Sequence, residues 1–274
     1  MLRAVGVGVA AGAVLVTLSL CSCAAVYPEL RTPLRDAADG ADLDPPPPSD
    51  LWDIRFVQAH VPRTAAQGRP WDEGNLPDPY ARLYLDGERL IETPVAPDTL
   101  KPAWPSPPSN NYVVPKGGKS RVELWDGDTV HDSPICVKSI GDLRAEASFG
   151  EVEVVCDNGT RIWLAVKPAR AKLGLGFLYE LRANSVFVSR VLRYSPAARK
   201  EVHVGDELVL VQGKPVVGMG EAEIRSELNA GARNGLKLLL RAPDGAVREV
   251  KLAEGPIYLT PEESKILELS VGPE

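Results

Sequence analysis

Histidine is scarce in this chain of 274 residues, which contains only His60, His131 and His203. A Gly-x-Ser-x-Gly motif, which would present a serine nucleophile, is absent. Nucleophilic catalysis needs a base held beside the nucleophile, and imidazole metal centres need several histidines together. We therefore expect that the protein is not an enzyme.

Long basic runs are missing as well, although the chain carries 31 lysine and arginine residues against 37 acidic ones. The formal net charge is -6, with about four net negative charges in residues 51–168 and about four net positive charges in residues 169–258. A nucleic-acid-binding surface needs basic side chains concentrated on one face. We therefore expect no nucleic-acid partner.

A long apolar run occupies residues 4–20 and leads into Cys21 and Cys23. It resembles the signal of a bacterial lipoprotein, in which residues 1–22 are removed and Cys23, preceded by a small serine, is acylated. A transmembrane anchor is the alternative, but the run is slightly short for a span and lacks a flanking basic stop signal. With Ala24, the resemblance implies a lipid anchor in the bacterial cell envelope, at the outer membrane.

Two further cysteines, Cys136 and Cys156, remain once Cys21 has left with the signal and Cys23 carries lipid. An oxidising compartment favours disulfides, so we predict that these two residues pair. The alternative is a pair of small buried thiols in a β core, because spacing alone does not show that the Cα atoms come within bonding range.

Proline and aspartate dominate residues 23–50, which include four consecutive prolines at 45–48. This composition predicts a Pro-rich tether with almost nothing to bury, semi-rigid where the prolines cluster. At the other end, residues 259–274 form an acidic tail. Ile266, Leu267 and Leu269 lie there at near-helical spacing and predict a short helix.

Short runs of alternating apolar and polar residues fill residues 51–168, for example at 54–59 and 161–166. Glycine, proline and aspartate separate these runs, and all five tryptophans lie in this part of the chain. Such spacing is typical of an antiparallel β-sandwich. The predicted fold class is therefore mainly β, with a sandwich as the first domain.

Aspartates cluster at the ends of several of the predicted strands. They are Asp72, Asp78, Asp126, Asp128 and Asp132. Loops collect at one edge of a sandwich, where five facing carboxylates would repel one another unless a hard cation lay among them. Ca2+ fits such a site because it accepts many oxygen ligands in flexible geometry. The alternative is that these aspartates serve only as polar loop caps.

Two motifs in this domain resemble those of the C2 family of calcium- and lipid-binding domains. Asp78-Pro79-Tyr80 ahead of a strand resembles the family's signature after its first calcium loop, and Thr99-Leu100-Lys101-Pro102-Ala103-Trp104 resembles its Thr-Leu-Asn-Pro-x-Trp turn. The resemblance implies the same five aspartates as Ca2+ ligands, and a membrane or protein surface as the partner of the loops. Three apolar residues are placed to enter such a surface: Trp71, Leu76 and Val130.

A glycine-flanked turn at Gly174-Leu175-Gly176-Phe177 precedes a predicted strand, and its backbone N–H groups could point at one anion. Together with Ser195-Pro196-Ala197-Ala198 and the turn at Gly205-Asp206, it resembles a bacterial PDZ domain over residues 169–258. The resemblance implies a small α+β, partly open barrel. It also implies binding of an extended peptide or a protein C-terminus as an added strand.

The resemblance assigns peptide-binding residues in this second domain. The amides of residues 175–177 would hold a carboxylate, apolar side chains would line a pocket, and Glu221 could bond Arg225 on the groove helix. The implied residues are Gly174, Leu175, Gly176, Phe177, Glu221, Arg225 and Leu228. An internal extended segment is an alternative ligand, and a spacer without a ligand is an alternative role.

The combined interpretation is a lipid-anchored, noncatalytic adaptor with a calcium-conditioned contact and a peptide groove, so that joint engagement would raise the effective affinity. The alternative is a noncatalytic regulator or substrate-delivery subunit of an envelope protease, because bacterial PDZ domains commonly accompany serine proteases.

Overall fold

The computed structural model describes residues 27–38, 41–65, 68–71, 76–105, 111–128, 131–147 and 150–270. Antiparallel strands dominate these residues, which confirms the predicted mainly β fold class. Over the same ranges, no helix is both long and apolar enough to cross a membrane.

The first module is an antiparallel sandwich of two four-stranded sheets. Two short strands precede it, β1 (Leu30–Arg31) and β2 (Leu34–Asp36). The strands of the sandwich are β3 (Leu51–His60), β4 (Pro79–Leu85), β5 (Glu88–Glu92), β6 (Asn111–Val113), β7 (Ser120–Asp126), β8 (Ser133–Gly141), β9 (Glu151–Val155) and β10 (Arg161–Pro168). One sheet has the order β6-β3-β10-β9 and the other β5-β4-β7-β8.

Alternation along the strands builds the core of the sandwich. Ile54 and Phe56 of β3 are buried, as are Val122 and Leu124 of β7, because side chains at every second position of a strand share a face. These side chains belong to one apolar cluster that both sheets supply. Trp104 joins it edge-on to Phe56, with 6.0 Å between the ring centroids.

A disulfide joins the two sheets of the sandwich at their edges. Cys136 lies in β8 and Cys156 directly follows β9, and each of these strands is the last in its sheet. The two Cα atoms are 6.0 Å apart. The bond therefore limits the separation of the two layers at this side.

The second module contains the later strands and most of the helical residues. Its strands are β11 (Lys172–Gly174), β12 (Phe177–Arg182), β13 (Ser185–Val191), β14 (Glu207–Val211), β15 (Lys214–Pro215), β16 (Leu236–Arg241), β17 (Val247–Leu252) and β18 (Gly255–Ile257). Its helices are α2 (Pro196–Arg199), α3 (Glu221–Ala232) and α4 (Pro261–Leu269). The remaining helix, α1 (Leu143–Glu146), belongs to the sandwich and follows β8. The order β12-β13-β14-β16-β17 forms the main sheet of this module.

Residues 30–36 do not form the tether that their composition predicts. β1 pairs with β12 and β2 pairs with β11, so the second module takes chain from both sides of the sandwich. Leu30 and Thr32 are each only 2% exposed. The expectation that this stretch buries almost nothing is wrong here, because strands of two and three residues are too short to show a periodic pattern.

Specific bonds join the two modules where the chain passes between them. Asn111 is fully buried; its side-chain amide donates to the carbonyl of Arg170 at 2.8 Å and its oxygen accepts from the Arg170 amide at 2.9 Å. The Tyr258 hydroxyl donates to the carbonyl of Pro45 at 2.9 Å. Residues before, within and after the sandwich therefore meet at one junction.

The helix predicted near the C-terminus is present as α4. Thr260 and Glu263 form a capping box at its start, in which each side chain bonds the backbone of the other residue. Leu267 is buried against Leu178 and Ile257 of the second module. The helix therefore docks on the module.

Candidate functional site

The turn that leads into β12 is held in a shape that only glycine permits. Gly176 has a φ of +89°, and a Cβ added there would lie 2.1 Å from the Cβ of Ser195. Ser195 is fully buried; its hydroxyl donates to the carbonyl of Leu192 at 2.7 Å and accepts from the Ala198 amide at 3.2 Å. The start of α2 thus packs against this turn and fixes the direction of β12.

An apolar wall lies beside the turn, as the sequence predicts. Leu175, Phe177 and Leu228 are at most 1% exposed and belong to one cluster. Ile224 and Leu228 are four residues apart, so α3 presents both on the same face. The structure therefore brings these three predicted pocket residues together between β12 and α3.

The first turn of α3 carries the ion pair that the sequence suggests, between Glu221 and Arg225. Arg225 also interacts with Tyr179 of β12, whose side chain is buried. Burial raises the pKa of Tyr179, and the nearby charge of Arg225 lowers it in part. These contacts join β12 to the N-terminal end of α3.

Chain from the N-terminal region lies along the exposed edge of β12. Leu30 is opposite Tyr179 and Arg31 is opposite Leu178 in an antiparallel register. The Thr32 amide and hydroxyl both donate to the carbonyl of Phe177, at 3.3 Å and 2.8 Å. β1 is thus an added strand at the position that peptide binding by strand addition requires.

The same segment continues past the glycine turn instead of ending at it. Leu34 is the register partner of Gly174, and the carbonyl of Pro33 lies so close that a Cβ on Gly174 would be 2.6 Å from it. Proline fits this crossing because it has no amide hydrogen to leave unpaired between two ladders. Residues 32–34 therefore pass through the predicted carboxylate site, and the chain does not end there.

The opposite face of this segment lies under α4. The Arg31 guanidinium donates to the carbonyl of Leu267 at 3.1 Å, and Leu34 packs with Ile266 and Leu267. Leu30 meanwhile belongs to the cluster of the groove. The segment is thus held from both sides: Arg31 and Leu34 contact α4, and Leu30 packs in the groove cluster.

Two of the predicted calcium ligands meet at the ends of neighbouring strands. The Asp78 amide donates to Oδ1 of Asp126 at 2.7 Å, and Oδ1 of Asp78 accepts from the Asp98 amide at 2.7 Å. Asp126 is only 1% exposed. Both carboxylates therefore stabilise the loop backbone in this structure.

The other predicted ligands are placed differently. Asp132 is exposed and accepts a hydrogen bond from the Tyr80 hydroxyl at 2.5 Å, and Asp128 is exposed. Asp72 lies outside the described residues. Within the described ranges, no three acidic, histidine or cysteine side chains gather at one point that could hold a metal ion. These residues alone do not form a calcium cage.

The predicted membrane-contacting residues also differ from one another. Trp71 packs partly buried against the sandwich core, and its indole nitrogen donates to the carbonyl of Pro62 at 2.8 Å. Leu76 is 37% exposed. Val130 and the predicted acylation site Cys23 lie outside the described residues. Leu76 is therefore the member of this set that the structure places at the surface.

Comparison with known proteins identifies part of the second module. Residues 165–241 match the family model of the PDZ domain, a stretch that runs from β10 to the end of β16. β1, β2 and α4 lie outside the matched residues. No curated protein matches the chain.

Several solved structures show a partial likeness to the chain. A structure described as a C2 domain is 17% identical, with 43% of this chain and 97% of that one covered and a TM-score of 0.33. A C2 domain of plant extended synaptotagmin 1 is 16% identical, with 44% and 96% covered and a TM-score of 0.35. Two calcium-bound C2 domains of extended synaptotagmin 2 are 19% identical, with 46% and 48% covered and a TM-score of 0.33. At such identities and TM-scores, no ligand of this chain follows from them.

Sequence reasoning missed the residues that occupy the groove. Leu30 and Leu34 flank Arg31-Thr32-Pro33 in a stretch that otherwise has few apolar residues. That pair of leucines was the only local signal. The pairing of β1 with β12 and of β2 with β11 has no local signature, because more than 100 residues of sequence separate the paired strands.

Proposed function

We propose that this protein is a noncatalytic adaptor whose second module binds an extended peptide as an added strand on β12. One observation carries the proposal: β12 already holds a strand, β1, in antiparallel register beside α3. The match of residues 165–241 to the PDZ domain supports the same function.

The geometry explains what a peptide would gain from this edge. Main-chain bonds such as that from the Thr32 amide to the Phe177 carbonyl do not depend on side chains, so they supply affinity for any extended segment. The apolar cluster supplies selectivity, since burying one leucine contributes about 1.5–3 kcal/mol. The peptide that the edge favours therefore has an apolar residue where Leu30 lies.

Calcium binding at the loops of the sandwich is a separate part of the proposal. It is supported by the meeting of Asp78 and Asp126 at adjacent strand ends, and by the position of Asp128 two residues after Asp126. Carboxylates at such positions are the ligand type that Ca2+ prefers. Asp72 and Asp132 complete the proposed set.

The proposed location is the bacterial cell envelope, with a lipid on Cys23 that anchors the protein to the outer membrane. It is supported by the apolar run at residues 4–20 and the small residues around Cys23. Mass spectrometry of the mature N-terminus tests it: an acylated Cys23 is expected. A mature chain that retains residues 1–22 contradicts it.

Peptide binding is tested with a synthetic peptide that has the sequence of residues 27–38. It is added at up to millimolar concentration to the isotope-labelled full chain, and backbone chemical shifts of residues 177–182 are followed. We expect saturable shifts along β12. Absence of saturable shifts in β12, both in the unmodified chain and in a variant whose residues 30–36 have been released, contradicts the proposal.

Two backbone-methylated peptides provide the control. A methyl group on the nitrogen that corresponds to Thr32 removes the donor to the Phe177 carbonyl and should abolish binding. The same methyl group on the nitrogen of Arg31 lies on the opposite side of the strand, so binding should persist. If both methylated peptides lose binding equally, the peptide does not add to β12 in this register.

Calcium binding is tested by calorimetric titration of the full chain to millimolar Ca2+. We expect saturable binding that Asp128→Asn weakens at least tenfold (about 1.4 kcal/mol) because a ligand charge is lost. Asp157→Asn is the matched control, since its side chain is 96% exposed and lies in the turn after β9. No heat in the unmodified chain, or equal weakening by both changes, contradicts the calcium site.

A further inference from the structure

The groove is filled by the protein's own chain. We call residues 29–36 the resident segment. It pairs with β12 through β1 and with β11 through β2, and it crosses the glycine turn between them. A strand edge has one row of N–H and C=O groups, so a second peptide cannot pair with β12 while the resident segment is there.

The charged side chains near both ends of the resident segment form exposed ion pairs, and β2 is also paired with β11 through its backbone. Arg35 bonds Glu254, Asp36 bonds Lys172 at 3.0 Å, and Glu29 lies 3.6 Å from Arg190. The side chains of Arg35 and Asp36 are 49% and 83% exposed. Exposed pairs of this kind stabilise weakly and are screened by salt, so these side chains add little resistance to displacement of the segment.

The part of the segment that lies on β12 is held more firmly. Leu30 and Thr32 are buried, and Thr32 bonds the Phe177 carbonyl twice. These two residues are the ones whose positions an incoming peptide would take over. The segment therefore has the form of a ligand bound by strand addition: Leu30 and Thr32 are its buried anchor, its backbone pairs with β12 and β11, and its charged side chains add weak contacts.

Helix α4 depends on the same segment. Arg31 bonds the carbonyl of Leu267, the helix residue that is buried, and Leu34 packs beside it. Loss of the segment would remove part of the surface on which α4 lies. Displacement is thus expected to loosen α4 as well as to open the groove.

We propose that the resident segment is an intramolecular competitor that closes the peptide groove, and that a partner enters by displacing it. This inference rests on the proposed peptide-binding function. Because the segment runs through the turn at Gly174 instead of ending there, the partner that it mimics is an internal extended segment with a leucine opposite Tyr179. A covalently linked competitor acts at an effective concentration in the millimolar range and lowers the apparent affinity by the fraction of open groove.

The test uses the full chain and a fluorescent peptide with the sequence of residues 27–38. Binding is followed by anisotropy for the unmodified chain, Leu30→Asp and Thr32→Val. Leu30→Asp places a charge in the apolar cluster and should release the resident segment. The dissociation constant of the peptide should therefore fall by a factor of about ten or more. Thr32→Val removes only the hydroxyl bond to Phe177 and should tighten binding about fivefold.

Val247→Asp is the matched control, because Val247 is 54% exposed on β17 of the same module. It should bind the peptide as the unmodified chain does. Hydrogen exchange reports the state of each variant: amides of residues 30–36 should exchange fast in Leu30→Asp, whereas those of β16 stay protected. If the β16 amides of Leu30→Asp also exchange fast, that variant has lost its fold. The comparison is then between the peptide affinities of Thr32→Val and the unmodified chain.

The outcomes separate this inference from the function on which it rests. Tighter binding by the two segment variants, with the control unchanged, supports an intramolecular competitor. Equal affinity in every protein overturns the competitor but leaves peptide binding intact. No binding by any of them, when exchange shows that residues 30–36 have been released, overturns both.

Discussion

The hydroxyl of Thr32 donates to the carbonyl of Phe177 at 2.8 Å, across 145 residues of sequence. The bond is buried, and it connects the chain that precedes the sandwich to β12, the strand that borders the proposed peptide groove. The sandwich is therefore inserted between two parts of the second module. Contacts of the resident segment should consequently contribute to the stability of that module.

Leu30→Ala should lower the free energy of unfolding of the second module. Leu30 is 2% exposed within the groove cluster, and truncation of a buried leucine typically costs about 2–5 kcal/mol. We expect the lower end, because the segment can detach without global unfolding. Urea denaturation followed by circular dichroism measures the change.

Leu269→Ala is the control for this substitution, since Leu269 is 80% exposed on α4. It should change the stability by less than about 0.5 kcal/mol. Equal effects of the two substitutions would show that Leu30 is not anchored in the cluster.

Gly176→Ala should destabilise the protein severely. The backbone there has a φ of +89°, and the added methyl group would lie 2.1 Å from the Cβ of buried Ser195. Gly213→Ala is the matched control, because its φ is +77° but nothing lies within 4 Å of the added atom. The control should cost about 1 kcal/mol and Gly176→Ala more than about 3 kcal/mol in thermal or urea unfolding. Similar losses would argue against the close packing of the turn on Ser195.

The Tyr80 hydroxyl should ionise at an unusually high pH. Burial, and then the hydrogen bond to Asp132, raise the pKa of Tyr80 to about 12. A raised folded pKa means that the unfolded chain ionises first. The contribution of Tyr80 to stability is therefore complete below its ordinary value of about 10 and is lost as the pH rises from about 10 to about 12.

Ultraviolet difference absorbance against Tyr80→Phe measures this ionisation. Asp132→Asn should lower the pKa of Tyr80, because the negative acceptor is gone. Asp128→Asn, a loss of the same charge in the same loop, should have a much smaller effect. An unchanged titration in Asp132→Asn would show that the Tyr80–Asp132 bond is not maintained.

Replacement of Cys136 and Cys156 by alanine should reduce the stability of the sandwich by about 3 kcal/mol. The bond closes a loop of 20 residues and joins the edge strands of the two sheets. Reductant should produce a comparable loss in the unmodified chain and none in the double variant. Stability of the unmodified chain that does not respond to reductant would contradict a structural role of the bond.

Local patterns were sufficient for much of the fold. Alternation in residues 54–59 predicts β3 because one face of a sandwich strand is buried and the other is not. Gly174-Leu175-Gly176-Phe177 predicts the turn ahead of β12 because its φ at Gly176 excludes other residues. Ile266, Leu267 and Leu269 predict α4 through their near-helical spacing. Each of these features depends on neighbours in the sequence.

Such local patterns do not predict which partners the candidate calcium ligands contact in the folded protein. Asp132 has the residue type and position of a metal ligand, yet its carboxylate accepts from Tyr80. Asp78 and Asp126 do meet, but as partners of backbone amides. A carboxylate in a loop has several competing donors within reach, and only the folded loop selects among them.

The sequence by itself determined the strand periods, the glycine turn and the C-terminal helix, because these follow from side-chain spacing and backbone conformation over a few residues. Only the tertiary structure decided what lies in the groove. Glu29 to Asp36 has no strong local preference, and it becomes two strands because β12 and β11 offer unpaired edges and an apolar cluster beside them. A segment without a distinctive sequence pattern is thus given its structure, and its proposed role, by partners far along the chain.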